Sequence, residues 1–159
     1  MINNRKSIRL ENWNYTNPGY YFVTICVSDR QYLFGGIINN KMTLNEYGEI
    51  VQLKWLDLVN HNKDISLDEF VIMPNHIHGI IIIGAGLEPA PTALSEIIRQ
   101  FKTFSTKHIN KLRNTPGQKL WQRNYYDHII RNEQSFNEIR TYINNNPKQW
   151  STDKYNVNV

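Results

Sequence analysis

Two histidines separated by one residue, His76 and His78, are the first candidates for chemistry in this chain of 159 residues. They begin an apolar run that predicts a strand, and alternate residues of a strand point to the same side. Their imidazoles would therefore lie side by side, while Ile77 faces the opposite layer. Two imidazoles at this spacing can hold one divalent metal ion. The same pattern is typical of two polar residues on a solvated strand face, so the spacing alone leaves both interpretations open.

Tyr142 and Asn146 form a second candidate pair. They are four residues apart on a predicted helix that ends at Pro147, so they share one side of that helix. A tyrosine hydroxyl can act as a nucleophile, and an amide oxygen can ligate a hard metal ion. The alternative is an ordinary amphipathic helix, in which Tyr142 packs in the core and Asn146 belongs to a polar helix terminus.

Positive charge is concentrated in the C-terminal part of the chain, although the formal net charge is only +4. Residues 1–93 carry 7 basic and 9 acidic side chains, whereas residues 94–159 carry 11 basic and 5 acidic ones. Basic side chains along one helix can neutralise phosphates, which favours a polyanion-binding half. A solvated surface of uneven charge is the alternative. The cations on the predicted helix are Arg99, Lys102, Lys107 and Lys111.

The stretch from Trp121 to Tyr126 interleaves aromatic and polar residues. Such a pattern is typical of surfaces on which the bases of a single strand stack. Strand alternation would bury about half of these side chains. We therefore expect two or three of them, in a segment that includes Arg123, to be available to a ligand.

The predicted elements that position these residues follow a strand, helix, strand, strand, helix, strand, helix order. Strands are predicted over residues 20–27, 65–73, 76–83 and 121–130 from their β-branched and aromatic content. Helices are predicted to begin at Asn45, at Ser95, and at either Asn132 or Ser135. The first six elements have the ferredoxin-like order βαββαβ. We expect an α+β fold in which helices cover one face of an antiparallel sheet, plus a C-terminal helix that carries Tyr142.

Length and composition predict a single domain over residues 1–159, with a mobile loop at residues 84–93 that is rich in glycine, proline and alanine. No apolar run approaches the roughly 20 residues of a membrane helix, and the N-terminus lacks the apolar core of a signal peptide. Cys26 is the single cysteine, which excludes an internal disulfide and a multi-cysteine zinc site. These features predict a cytoplasmic protein with no membrane partner.

Taken together, several segments resemble the single-tyrosine transposases of the HUH-endonuclease superfamily, and most closely the REP-associated tyrosine transposases. The segments that carry the resemblance are, in chain order, Met73-Pro74-Asn75-His76-Ile77-His78-Gly79, Phe101-Lys102-Thr103, Trp121-Gln122-Arg123-Asn124-Tyr125-Tyr126-Asp127-His128-Ile129-Ile130-Arg131 and Tyr142-Ile143-Asn144-Asn145-Asn146-Pro147. The N-terminal strand Tyr21-Phe22-Val23-Thr24 also fits it.

The resemblance implies a ferredoxin-like fold and a nick in single-stranded or hairpin DNA that depends on a divalent metal, Mg²⁺ or Mn²⁺. By position, His76 and His78 match the histidine pair, and Tyr142 matches the nucleophile that forms a 5′-phosphotyrosine and releases a 3′-hydroxyl. Asn146 falls where related insertion-sequence transposases have a glutamine ligand, and its shorter side chain reaches less far.

DNA contacts are expected from the basic helix and the strand that follows it. Monomer and homodimer both stay open, because in some relatives the tyrosine helix serves the histidines of the partner subunit. Two other functions stay open as well: a domesticated, non-catalytic nucleic-acid-binding regulator of the same fold, and a small-molecule-binding protein with an incidental histidine pair. The expected DNA-binding residues are Arg99, Lys102, Lys107, Lys111, Trp121, Arg123 and Arg131.

Overall fold

The computed structural model describes residues 18–84 and 93–157. Most of the predicted mobile loop at residues 84–93 lies outside these ranges, and the single domain over residues 1–159 stays a prediction. Among the helices of the described ranges, none combines the length and the apolar character needed to cross a bilayer. The elements are β1 (Gly19–Cys26), β2 (Gly35–Ile38), β3 (Lys41–Leu44), α1 (Glu46–Leu56), α2 (Leu58–His61), β4 (Ile65–Met73), β5 (His76–Ile83), α3 (Leu94–Leu112), β6 (Tyr126–Ile130) and α4 (Glu133–Asn145), with short 3₁₀ helices at Ser28–Arg30 and Pro147–Thr152.

Four strands form one antiparallel sheet in the order β4-β5-β1-β6. With α1 after β1 and α3 after β5, this is the ferredoxin-like arrangement, and the predicted fold class is confirmed. Strands β2 and β3 form a separate hairpin inserted between β1 and α1. Strand β1 lies in the middle of the sheet, so its side chains meet both β5 and β6.

One side of the sheet is covered by α1 and α3 and holds the larger apolar core. Tyr21, Val23 and Ile25 alternate along β1 and all point to this side, where they are fully buried. Gly79 of β5 lies beneath Trp55 of α1, and a Cβ atom at position 79 would clash with the indole ring. A glycine is therefore required one residue after His78 for α1 to pack closely on the sheet.

The opposite side of the sheet is covered by α4. Its apolar cluster is small and centres on Phe22, Ile80, Ile130 and Ile143. As predicted, helices cover one face of the sheet and a C-terminal helix carries Tyr142. That C-terminal helix, α4, lies on the other face of the sheet.

Two of the predicted helix starts are confirmed by their capping contacts. Asn45 accepts a hydrogen bond from the Gly48 amide, and Asn132 accepts one from the Ser135 amide. The start predicted at Ser95 was one residue late, because α3 begins at Leu94 without a side-chain cap.

The predicted strand over residues 121–130 was too long, because β6 begins only at Tyr126. Trp121 still forms an isolated bridge with Val27, and the ladder is interrupted over the residues that follow. There the carbonyls of Gln122, Arg123 and Asn124 accept from the Lys102 ammonium of α3 at 2.8, 3.1 and 3.3 Å.

Candidate active site

The two histidines of β5 lie side by side on the α4 side of the sheet, as their spacing predicts. His76 is 0% exposed and His78 is 1% exposed. Their Nε2 atoms are 3.0 Å apart. The pair is therefore a buried site and not a solvated strand face, which excludes the surface interpretation of this motif.

Each imidazole is oriented through its other nitrogen. The Nδ1 atom of His76 lies 2.7 Å from Oδ1 of Asn75, and because this oxygen only accepts, Nδ1 carries the proton and Nε2 presents a lone pair. The Nδ1 atom of His78 lies 2.7 Å from the hydroxyl of Thr24, which can either donate or accept. Both Nε2 atoms therefore point to the same place, and Asn75 and Thr24 are site residues that the sequence analysis did not identify.

Burial keeps both histidines neutral. It lowers the pKa of His76 to about 3, against a reference value of 6.5. The pKa of His78 is also well below 6.5, first because of burial and then because of its neighbour His76. Neutral imidazole is the form that binds metal ions, so both side chains are in the protonation state that metal binding would require at neutral pH.

The hydroxyl of Tyr142 lies 3.5 Å from Nε2 of His78 in the same chain. Its ring is 5.3 Å from the His78 ring and 6.2 Å from the Phe22 ring, between centroids. Helix α4 thus brings the predicted nucleophile to the predicted histidine pair without a second subunit. Burial raises the pKa of the Tyr142 phenol, which therefore keeps its proton at neutral pH.

Asn146 follows α4 and lies beside the histidines. It is buried, and its side chain affects the pKa values of both His76 and Tyr142. Its Oδ1 atom has no hydrogen-bond partner among the described residues. A buried carbonyl oxygen without a partner is costly unless a ligand satisfies it, so the group fits a metal-binding role.

The donor set available to a cation is thus two imidazole nitrogens and one amide oxygen. Within residues 18–84 and 93–157, no cluster of three or more His, Cys, Asp or Glu side chains is arranged to hold a metal. Among the described residues, the amide oxygen of Asn146 is the candidate for a third protein ligand at this site.

Tyr155 covers the histidine pair and was missed by sequence reasoning. Its ring centroid is 4.4 Å from that of His76 and 5.6 Å from that of His78. The amide of Asn75 donates to the Tyr155 carbonyl at 2.7 Å, which fixes this part of the chain over the site. Burial raises the pKa of Tyr155 to about 12. No motif or periodicity marks this residue, because it follows the last helical turn in an irregular segment.

The basic residues of α3 are not next to the histidines. Helix α3 packs on the opposite side of the sheet, where Lys107 and Lys111 line a groove of about 890 Å³ together with Lys119 and Arg123. Arg99 is exposed and paired with Glu96. Arg131 is exposed and directly follows β6.

Two further residues expected to contact DNA also have partners within the protein. Trp121 is 4% exposed, and its indole N–H donates to the hydroxyl of Ser105 at 2.9 Å. The Lys102 ammonium is occupied by the three carbonyls already described. DNA contact by these two side chains stays a prediction, and in this structure they hold the segment before β6 against α3.

Comparisons with known proteins identify relatives over most of the chain. The family described as "Transposase IS200 like" matches residues 19–146. An uncharacterized protein of Haemophilus influenzae is 41% identical over 173 residues, which cover 98% of this chain and 95% of that protein.

Two solved structures share the fold. The REP-associated tyrosine transposase bound to a REP hairpin superimposes with a TM-score of 0.65 at 20% identity, covering 89% of this chain and 73% of its own. A putative transposase from Deinococcus radiodurans gives a TM-score of 0.53 at 16% identity, covering 86% of this chain and 95% of its own. At these identities the likeness shows the architecture alone, which agrees with the sheet order described above.

Proposed function

The chain belongs to the IS200-like transposase family, and from this premise we propose that it nicks single-stranded DNA and transfers the strand through a covalent phosphotyrosine on Tyr142. The observation that carries the proposal is the convergence of three groups in one chain. The Tyr142 hydroxyl, the Nε2 atoms of the histidine pair and the unpartnered Oδ1 of Asn146 all meet on the α4 side of the sheet.

A divalent cation fits the donor set, and His76, His78 and Asn146 would hold it. Such an ion would neutralise non-bridging phosphate oxygens and orient the phosphate for in-line attack. A set of two imidazole nitrogens and one amide oxygen suits Mn²⁺ better than Mg²⁺, which prefers oxygen ligands. Asn75 and Thr24 support this role because they fix the direction of the two imidazoles.

The proposed nick is a transesterification on phosphorus. A bond forms between the Tyr142 oxygen and phosphorus, the bond from phosphorus to the 3′-oxygen breaks, and the phenol proton is lost as the departing 3′-oxygen gains one. The number of phosphodiester bonds is conserved, so no ATP is consumed, and a different 3′-hydroxyl can reverse the step. Because burial raises the pKa of Tyr142, the phenol enters this step in its protonated form.

The proposed substrate is single-stranded or hairpin DNA. A relative of the same fold is described as bound to a REP hairpin, which supports this class. The exposed cations of the α3 groove, such as Lys107 and Lys111, suit a phosphate backbone. They lie on the opposite side of the sheet from the histidines, so they would contact a part of the DNA away from the nicked phosphate.

The direct test is the formation of a covalent protein–DNA adduct. The purified chain is mixed with labelled single-stranded hairpin oligonucleotides and Mn²⁺ or Mg²⁺, then denatured and separated by gel electrophoresis. We expect an adduct that Tyr142→Phe abolishes while DNA binding is retained. We expect His76→Ala and His78→Ala to reduce the adduct to background as well.

Tyr20→Phe is a matched control, because Tyr20 is an exposed tyrosine on the same side of the sheet but far along β1. It should leave adduct formation unchanged. An adduct that persists in Tyr142→Phe would contradict the assignment of the nucleophile. A metal-independent adduct would contradict the role of the histidine pair.

A second function, DNA binding without nicking, is favoured by one specific observation. Both histidines are almost completely covered in this structure, and the Tyr155 ring packs against them, tilted on His76 and edge to face on His78. A domesticated regulator would keep such a closed site. Tight binding of hairpin DNA at low salt, with no adduct under any metal condition, would favour this function over strand transfer.

A further inference from the structure

The aromatic segment at residues 121–126 is only partly used by the fold. Trp121 and Tyr125 are 4% and 7% exposed and belong to the core on the α1 and α3 side. Tyr126 is 50% exposed and begins β6, which is an edge strand of the sheet. This ring is therefore the aromatic side chain of the segment that a ligand can reach.

The strand register places Tyr126 beside the candidate active site. Thr24 of β1 pairs with His78 on one side and with Tyr126 on the other. Residues directly opposite each other on neighbouring antiparallel strands point to the same side of the sheet. His78, Thr24 and Tyr126 thus form one row on the side covered by α4.

Phe22 connects this row with the nucleophile. Its ring centroid is 6.3 Å from that of Tyr126, 5.5 Å from that of His78 and 6.2 Å from that of Tyr142. Tyr126 meets it edge to face, at an interplanar angle of 71°, which supports the ring while half of the side chain stays accessible. Tyr126 and Tyr142 thus pack on the same phenylalanine, on the side of the sheet where the proposed function places the attacked phosphate.

Building on the proposed function, we propose that Tyr126 is a base-stacking site for the nucleotide adjacent to the nicked phosphate. Stacking on an aromatic ring tolerates any sequence, because every base has a π-face. An unpaired base is required, since a base inside a duplex is already stacked on its neighbours. The contact would hold the single strand so that its phosphate stays in front of Tyr142.

The charge of the surrounding segment fits a single strand. Arg131 directly follows β6, five residues after Tyr126, and is exposed, whereas Arg123 lies before β6 and lines the groove on the α3 side. A single strand that runs along β6 from Tyr126 toward Arg131 would bring a backbone phosphate near that guanidinium group. An apolar or acidic partner would not gain from this arrangement.

The test measures stacking separately from the nick. The protein carries Tyr142→Phe and is kept in EDTA, so that no adduct forms. The probe is a short single-stranded oligonucleotide in which 2-aminopurine replaces one base at a time, because stacking quenches its fluorescence. We expect quenching at a position next to the mapped nick, together with a roughly 5- to 100-fold loss of affinity in the added Tyr126→Ala variant.

Tyr126→Phe should retain both the quenching and the affinity, because the ring is kept. Tyr20→Ala is the matched control: Tyr20 is 44% exposed on the same side of the sheet but packs on Phe136 at 5.3 Å, four residues along β1 from Thr24. It should change neither quantity. The stacking site is refuted if Tyr126→Ala binds within twofold of its parent, or if Tyr20→Ala loses as much affinity.

Failure of the base-stacking site and failure of the proposed nicking activity give different results. Quenching that depends on Tyr126 in EDTA, together with no adduct from the chain with Tyr142 intact in Mn²⁺ or Mg²⁺, would support the stacking site and refute the nicking activity. Adduct formation by the chain with Tyr142 intact, without any quenching that depends on Tyr126, would refute the stacking site alone.

Discussion

The two sides of the central sheet differ in what they bury. The side under α1 and α3 buries the larger apolar cluster, which includes Trp55, Phe101 and Ile25, with a few polar side chains such as Ser105 and Asp127 among it. The side under α4 has a small apolar cluster and, next to it, the buried polar side chains Thr24, His76, His78 and Asn146.

The side under α1 and α3 thus contributes most of the apolar burial that stabilises the fold, whereas the α4 side carries the candidate active site. Apolar burial stabilises a fold by about 25 cal/mol per Å², whereas buried polar groups cost free energy unless they are hydrogen-bonded. The α4 side contains an amide oxygen without a partner and two neutral imidazoles that face each other at 3.0 Å. We infer that the larger core on the other side offsets this cost, and that each side can be changed without the other.

The largest predicted effect is the loss of stability in Trp55→Ala. The Trp55 ring is fully buried, packs on Phe101 at 5.4 Å and fills the space above Gly79. Its removal should lower the free energy of unfolding by about 3–5 kcal/mol, measured by urea denaturation. Tyr142→Phe should change that free energy by less than about 0.5 kcal/mol, because it keeps the ring and removes only a hydroxyl that is 3.5 Å from His78.

If Tyr142→Phe destabilised the protein as much as Trp55→Ala does, the two sides of the sheet would not differ in their contribution to stability. Phe101→Leu is a milder core variant for the case in which Trp55→Ala does not fold. It should lower stability while leaving adduct formation per folded molecule unchanged.

The next effect is a loss of stability in acid that originates on the α4 side. The pKa of His76 is about 3 in the folded chain and that of His78 is well below 6.5, whereas both should be near 6.5 after unfolding. Between these values the unfolded chain binds protons that the folded chain does not. Stability should therefore fall as the pH drops below 6.5, by at most about 1.4 kcal/mol per pH unit for each histidine.

The measurement is urea denaturation in EDTA at several pH values between 7.5 and 4.5 (about two units below the reference pKa). The double variant His76→Gln/His78→Gln is the control, and the difference between the two curves isolates the imidazoles from the carboxylates. A difference that does not change with pH would show that these histidines are not buried in the neutral form.

Tyr155→Ala should have a smaller effect on stability and a visible effect on access to the site. The ring is only half buried, so its removal should cost about 1 kcal/mol. Because the ring covers His76 at 4.4 Å, we expect Mn²⁺ to bind faster to the variant, as followed in stopped-flow experiments. Tyr20→Ala is a control, because Tyr20 packs on Phe136 and lies four residues along β1 from Thr24. Equal binding rates in the parent and Tyr155→Ala would show that the ring does not limit access.

The sequence was sufficient to predict the main helices and strands and to predict which candidate site residues lie next to each other. Alternation along β5 places His76 and His78 on one side, and the i, i+4 spacing keeps Tyr142 near Asn146. The strand order follows from the βαββαβ pattern. These are local or topological regularities, so one sequence is enough to derive them.

What the sequence could not predict depends on contacts between distant segments. Asn75 and Tyr155 are 80 residues apart and meet only because the chain turns back after Pro147–Thr152. Likewise, the indole N–H of Trp121 donates to the hydroxyl of Ser105 on α3, a contact that the pattern of residues 121–126 did not predict. Pattern and spacing carry no information about such pairs, because each partner on its own fits many environments.

Arg140→Ala should lower stability less than Tyr155→Ala does, and it tests how α4 is fixed on the sheet. Arg140 donates to Asp68 of β4 at 2.7 and 3.3 Å, next to the irregular register between Leu67 and Phe70. The Arg140 side chain is 40% exposed, so the pair should contribute less than about 1 kcal/mol to stability. It lies two residues before Tyr142, however, and breaking it should slow adduct formation several-fold by loosening the nucleophile.

Arg140→Lys is the control, because it keeps the charge and loses the two-pronged geometry. If the two-pronged geometry holds α4, adduct formation by the lysine variant should be slowed almost as much as adduct formation by the alanine variant. Salt at 1 M should then barely slow adduct formation by the parent, because a Debye length of about 3 Å screens charge but does not change geometry. If charge alone matters, the lysine variant should behave as the parent does. An unchanged adduct rate in Arg140→Ala would mean that the small apolar cluster around Ile143 is enough to place Tyr142, and that the α4 side needs no ion pair to bring its nucleophile to the histidines.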